Sequence, residues 1–146
     1  RDVVRERGGE GQLVPYEAAA REDDMTSSVL IVEDDASLRE LLAIILEGEG
    51  LEVETAANGK EALGRIVARR PSVVLLDMSM PVMDGWQFCQ ELDRRGGPRP
   101  RIVVVTASTD PAKRADEVQA DGWLAKPFDR DALIALVRRM TDGTGR

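Results

Sequence analysis

From residue 29 onward the spacing of apolar residues changes period repeatedly. Runs of adjacent aliphatic residues at 29–32 (VLIV), 73–76 (VVLL) and 102–106 (IVVVT) predict strands covered on both faces. Residues 51–55 (LEVET) alternate apolar and acidic, and 123–125 (WLA) is short. Both are expected at the sheet edges. Between the strands the period lengthens to that of a helix. Leu38, Leu41, Leu42 and Ile45 form one stripe, Ala62, Leu63, Ile66 and Val67 a second, and Phe88, Cys89 and Leu92 a third that begins near Trp86. A weaker fourth helix is expected over 111–120, with Ala112, Ala115 and Val118 inward and Pro111 in its first turn. Leu133, Leu136, Val137 and Met140 mark a fifth. This alternation predicts an α/β fold. It is a doubly wound, flavodoxin-like (βα)5 sandwich with a parallel five-stranded sheet in the order 2-1-3-4-5.

Residues 1–28 break this pattern. They hold four Arg against seven Asp or Glu, with Gly8, Gly9 and Gly11 close together and no apolar stripe. A disordered tail or linker is expected there, a folded domain over 29–142, and a short tail over 143–146. Both Arg1 and Met25 stand as candidate starts.

Composition narrows the chemistry. No histidine occurs, which removes histidine-based nucleophilic sites, histidine-ligated metals and a phosphohistidine carrier. Cys89 is the single cysteine, so no internal disulfide forms, and a small buried apolar role is expected for it. A formal charge of −7 argues against direct nucleic-acid binding. The longest aliphatic run, 41–46, is six residues, too short for a membrane span. A cytoplasmic protein is the expectation.

In a parallel sheet all strands end on one rim. Strand one runs into Glu33, Asp34 and Asp35, and strand three ends at Asp77. Strand four ends at Thr106, and strand five runs into Lys126 and Pro127. Converging carboxylates repel unless a cation joins them, and Mg²⁺ suits a few carboxylates plus water and phosphate oxygens. Lys126 is then left to pair with the remaining carboxylate or a phosphoryl group. A ring of unrelated solvated acids is the competing reading. In the loop after Asp77 (MSMPVMDG), Pro81 sets a turn and Gly85 is expected at an unusual backbone angle. Met80 and Met83 should pack, and Asp84 should serve a turn or helix cap.

The blocks VLIVEDD, LLDMSMPVMDG, VVVTA and LAKPF occur in order and together resemble the receiver domain (CheY-like) of two-component response regulators over about residues 29 to 141. The resemblance implies that Asp77 is the phosphoacceptor. Asp34 then ligates Mg²⁺ directly, Glu33 acts through a bound water, and the backbone carbonyl of Ser79 completes the metal shell. Thr106 hydrogen-bonds the acyl phosphate, Lys126 contacts a phosphoryl oxygen, and the Lys126–Pro127 bond is cis. Asp35 lies just past the acidic pair and reads as a helix-start residue. Thr106 and the residue at position 123 form the switch, although Trp123 stands where the family usually has Tyr or Phe.

The function so implied is phosphorelay signalling. A sensor histidine kinase or phosphotransfer protein donates the phosphoryl group, and the surface of helix four, strand five and helix five controls a downstream protein or pairs with a second copy. No enzyme activity beyond self-catalysed phosphotransfer and slow autodephosphorylation is expected, and neither nucleic acid nor membrane is expected as a direct partner. Three alternatives stand beside this reading. A haloacid-dehalogenase-like phosphatase normally has a general-acid aspartate where Ser79 stands. A flavodoxin-like flavin carrier would find its phosphate repelled by Glu33, Asp34 and Asp35. A receiver-shaped scaffold that is never phosphorylated would not need the full acidic, Thr and Lys set. The few residues expected after the fifth helix leave no room for an output domain, which favours action through a partner.

Overall fold

The computed structural model describes residues 27–142. The strands are β1 (Ser28–Val32), β2 (Glu52–Ala56), β3 (Val73–Asp77), β4 (Arg101–Thr106) and β5 (Gly122–Ala125). The helices are α1 (Ala36–Gly48), α2 (Gly59–Ala68), α3 (Gly85–Arg95), α4 (Pro111–Glu117) and α5 (Arg130–Thr141). All strand pairs are parallel, in the order β2-β1-β3-β4-β5. The two weakly patterned strands are the edges, as their sequences predict. The expected tails at 1–28 and 143–146 lie outside the described residues, except that Ser27 is described and Ser28 opens β1.

The sheet is covered by two apolar layers, one on each face. Leu30, Val32, Val74, Leu76, Ile102 and Val104 meet Ala62, Leu63, Ile66, Phe88 and Cys89 of α2 and α3. Val29, Ile31, Val73, Leu75, Val103 and Val105 meet Leu42, Leu46, Leu133 and Val137 of α1 and α5. Alternate residues of each run therefore enter opposite layers, which is why these runs carry no polar positions.

Four of the five helices begin with a side-chain cap. Asp35, Asn58, Asp84 and Asp110 each accept a hydrogen bond from the amide three residues on, each worth about 1 kcal/mol. Asp84 and Gln87 complete a reciprocal capping box, and Asp35 starts α1, as expected for both aspartates. Cys89 is buried, and burial pushes its thiol up to about 11, so it behaves as a small hydrophobe.

Several helical stripes rotate relative to expectation. In α1, Leu41 is exposed while Leu46 is fully buried, because the layer above β1 is met by Leu42 and Leu46. Val67 lies beyond the edge of the α2 contact and faces solvent. The fourth helix stops at Glu117, three residues short of the expected end, where Val118 caps it and Gln119 takes a left-handed φ of 55°. Ala112 is exposed, leaving Ala115 as the buried residue of α4 and Val118 just beyond it. The α5 stripe is buried throughout. Among the described residues, no helix is long and apolar enough to cross a membrane.

Candidate functional site

The carboxyl ends of β1, β3, β4 and β5 open into a cavity of about 470 Å³. Glu33, Asp34, Asp77, Ser79, Thr106 and Lys126 all line it. Strand register brings them together. Asp77, the last residue of β3, pairs with Val105, so Thr106 sits one step further along the neighbouring strand. The Lys126 amide donates to the Thr106 carbonyl at 2.8 Å, which places the lysine stem over the same rim.

The charges are unevenly solvated. Glu33 and Asp77 are 3% and 7% exposed, whereas Asp34 is open at the cavity mouth. Lys126 Nζ lies 3.0 Å from Glu33 Oε1 and 3.7 Å from Asp77 Oδ1. One ammonium therefore serves two buried carboxylates. The Ser79 amide donates to Asp77 Oδ1 at 3.3 Å. Burial, reinforced by the charge of Glu33, pushes the Asp77 carboxyl up to about 7 against the opposing pull of Lys126 and the Ser79 amide.

One oxygen each from Glu33, Asp34 and Asp77 lies within 4.8 Å of the other two. This donor set fits a hard divalent cation. The ligands are all carboxylate oxygens, two are buried with a single ammonium between them, and the third faces the open side, where metal-bound waters have room.

Backbone features hold this arrangement. Gly85 is needed because the chain folds back on itself: its amide donates to the Met78 carbonyl, and an added Cβ would lie 2.8 Å from Met78 Cα. Its angle is not in the left-handed region, contrary to expectation. That conformation falls on Val82, with φ 71°, at the centre of a γ-turn closed by the Met83 amide and the Pro81 carbonyl at 2.7 Å. Met80 and Met83 pack on the α2–α3 layer as expected. The Lys126–Pro127 bond is cis.

The response regulator receiver domain family matches residues 29–138. The chain belongs to that family. DNA-binding response regulator MtrA of Mycobacterium tuberculosis is 40% identical over 118 residues, covering 80% of this chain and 51% of that protein. Thus the chain spans about half the length of the curated relatives it matches. Chemotaxis protein CheY4 of Vibrio cholerae superposes with a TM-score of 0.72 at 36% identity, over 79% of this chain and 98% of that one. Response regulator TrrA of Thermotoga maritima, solved in complex with Mg²⁺-BeF, superposes with a TM-score of 0.70 at 30% identity, over 79% and 99%.

In this receiver domain the two residues expected to switch stand on adjacent strands, two residues out of register. Thr106 is buried at the rim, and its hydroxyl oxygen accepts from the Ser108 amide at 3.1 Å. Trp123 pairs with Val104 in register but is 45% exposed. It lines a separate groove with Ala112, Ala115, Leu136 and Arg139.

Sequence reasoning did not place Arg114 at the site. Arg114 of α4 faces the cavity, as does Trp86 of α3. The Trp86 indole donates to Glu117 Oε1 at 2.9 Å, and Arg114 Nη2 donates to Glu117 Oε2 at 2.9 Å. The signal available was the position of Arg114 on the first turns of the helix that follows the Thr106 loop. It was masked by reading α4 as an alanine-faced helix.

Proposed function

We propose that this receiver domain accepts a phosphoryl group on Asp77 from a phosphohistidine of a sensor histidine kinase or phosphotransfer protein. The observation that carries this reading is the meeting of three carboxylates, an ammonium and a hydroxyl in one cavity at the strand ends. Asp77 attacks phosphorus in line. The new O–P bond forms as the P–N bond breaks, and the imidazole leaves with the electron pair. Asp34 and Asp77 would hold Mg²⁺ directly and Glu33 through a water, and the Ser79 carbonyl would complete the set. Bound Mg²⁺ supplies positive charge that offsets the carboxylates and the incoming phosphoryl oxygens. Lys126 neutralises one phosphoryl oxygen, and the Thr106 hydroxyl donates to another. The Mg²⁺-BeF complex named for the Thermotoga relative supports this chemistry.

The phosphoryl group then shifts the surface of α4, β5 and α5, with Thr106 drawn inward and Trp123 following, and a partner protein or second copy reads the change. The reaction stays within the domain: self-catalysed phosphotransfer and slow autodephosphorylation in the cytoplasm. The relative named above is called DNA-binding, and this chain covers about half of it; for the domain over residues 29–142 we assign a protein partner rather than nucleic acid.

Acetyl phosphate with Mg²⁺ should add one phosphoryl group to the intact protein, labile to hydroxylamine. The Asp77→Asn variant should not be modified. Equal modification of that variant would overturn the assignment, and an unmodified wild type would favour a scaffold.

A further inference from the structure

The site cavity has a second cation that the phosphoacceptor chemistry above does not use. Arg114 lines the wall formed by α4, while Lys126 belongs to the β5 side. Lys126 is committed to Glu33 and Asp77. Arg114 is differently placed. Its Nη2 is held by Glu117, but its Nε is buried and has no hydrogen-bond partner. A buried guanidinium N–H without a partner carries a desolvation cost that is removed only when an acceptor arrives. Glu117 also holds the Trp86 indole of α3, so one carboxylate ties α3 to α4 at the lip of the cavity.

We propose that Arg114 captures the phosphoryl group on Asp77, and that in doing so it leaves Glu117, the carboxylate it shares with Trp86. This inference rests on Asp77 being the phosphoacceptor. An aspartyl phosphate brings close to two negative charges and three acceptor oxygens into the cavity. A guanidinium prefers such a group to one carboxylate shared with Trp86, because Glu117 takes only Nη2 and leaves Nε free to join a second, side-by-side bond. Lys126 neutralises one phosphoryl oxygen as a point charge, and the side-by-side pairing is left to a guanidinium.

The rest of α4 favours such a movement. Its C-terminal end is clamped: Arg99 Nη1 donates to the carbonyls of Val118 and Gln119 at 2.8 and 3.0 Å, and Asp121 accepts from the Ile102 amide at 2.8 Å. Its body buries only Ala115. The helix therefore has a fixed end and a lightly packed end, and Arg114 lies between them. Capture at Arg114 turns the appearance of charge at Asp77 into a rearrangement of the α3–α4 edge, distinct from the Thr106–Trp123 route on the other side of the helix.

The test uses the whole chain with Mg²⁺ and beryllofluoride, which stands in for the acyl phosphate. Affinity is measured by titration, and the Trp86 indole N–H is followed by NMR, assigned with Trp86→Phe. In the wild type the indole resonance should move as Arg114 leaves the carboxylate to which the indole is bonded. Arg114→Gln should weaken beryllofluoride binding about tenfold, the loss of one charge-assisted hydrogen bond, and leave the indole resonance still. Glu117→Gln should strengthen binding, because Arg114 is no longer held away. A purely structural Arg114 would shift both variants in the same direction. Equal affinities for wild type and Arg114→Gln, with the wild type binding normally, would overturn the capture role alone. Failure of the wild type to bind beryllofluoride would overturn the phosphoacceptor reading beneath it.

Discussion

Replacing Asp77 with asparagine should stabilise the metal-free protein, and the gain should depend on pH in a defined way. Burial and Glu33 push the Asp77 carboxyl up to about 7 in the folded state. The unfolded chain returns it to about 3.9. A carboxyl raised on folding binds protons more tightly in the folded state, so stability falls as pH rises between those two values. Above about 7 the folded protein carries the full cost of an ionised, poorly solvated Asp77. At about 1.4 kcal/mol per tenfold change in proton affinity, that cost has a ceiling of about 4 kcal/mol. Water in the open cavity and the attraction of Lys126, which asparagine forfeits, bring the expected gain to about 1–3 kcal/mol at about pH 8. The gain should shrink to about a quarter by about pH 4.5, where the folded carboxyl is already protonated. Urea denaturation at both pH values, with EDTA present, reads the difference directly. Adding Mg²⁺ should narrow the gap at the higher pH, because the cation stabilises the wild-type carboxylates and binds the variant less. An asparagine variant no more stable than wild type at the higher pH would refute the reasoning. So would a gain that is the same at both.

The metal reading predicts that Asp34→Ala loses most Mg²⁺ affinity and Glu33→Gln less, followed through the emission of Trp86 at the cavity wall; unchanged affinity in Asp34→Ala would sink it. Val82→Asn should stabilise the fold by about 1 kcal/mol, since a β-branched residue at positive φ is strained and asparagine tolerates it. Val82 is 75% exposed, so little packing is lost, and an unchanged urea midpoint would show that the turn carries no strain. Deleting residues 1–24 should leave both the urea midpoint and the rate of phosphorylation by acetyl phosphate unchanged, because that stretch has no apolar stripe to bury.

The sheet was legible because its central strands are uniformly aliphatic. VLIV, VVLL and IVVV leave no polar face, so each must be covered twice, and the order follows from the two strands that fail this test. The rim was legible for a related reason. In a parallel sheet the strand ends are neighbours whatever the loops do, so Glu33, Asp77, Thr106 and Lys126 had to approach one another. Helix faces were less legible. A stripe such as Leu38, Leu41, Leu42 and Ile45 fits two faces rotated by one residue, and only the position of the sheet beneath decides that Leu46 is buried and Leu41 is not. The loop after Asp77 illustrates another limit. Glycine marks a place where a side chain is unwelcome but not why, and at Gly85 the reason is close approach to Met78 rather than backbone angle. The strained angle fell on valine, a residue whose sequence preference argues against it.

What the sequence could not display is how the fourth helix divides its labour. Its alanines suggest only weak packing. The structure adds that Arg99 supplies the missing grip from outside the helix, bonding carbonyls that the helix end leaves without partners. A helix held by its own side chains would resist rotation along its whole length. One held at its last turn, and otherwise lightly buried, is free to pivot at modest cost. The charges proposed to decide its position, Arg114 and Glu117, are three residues apart and therefore on one face, and Arg114 lines the cavity where the phosphoryl group would arrive. Weak packing in this helix is thus not a defect of a small core. On the proposed reading it would keep the competing arrangements close enough in free energy for a single new dianion to choose between them.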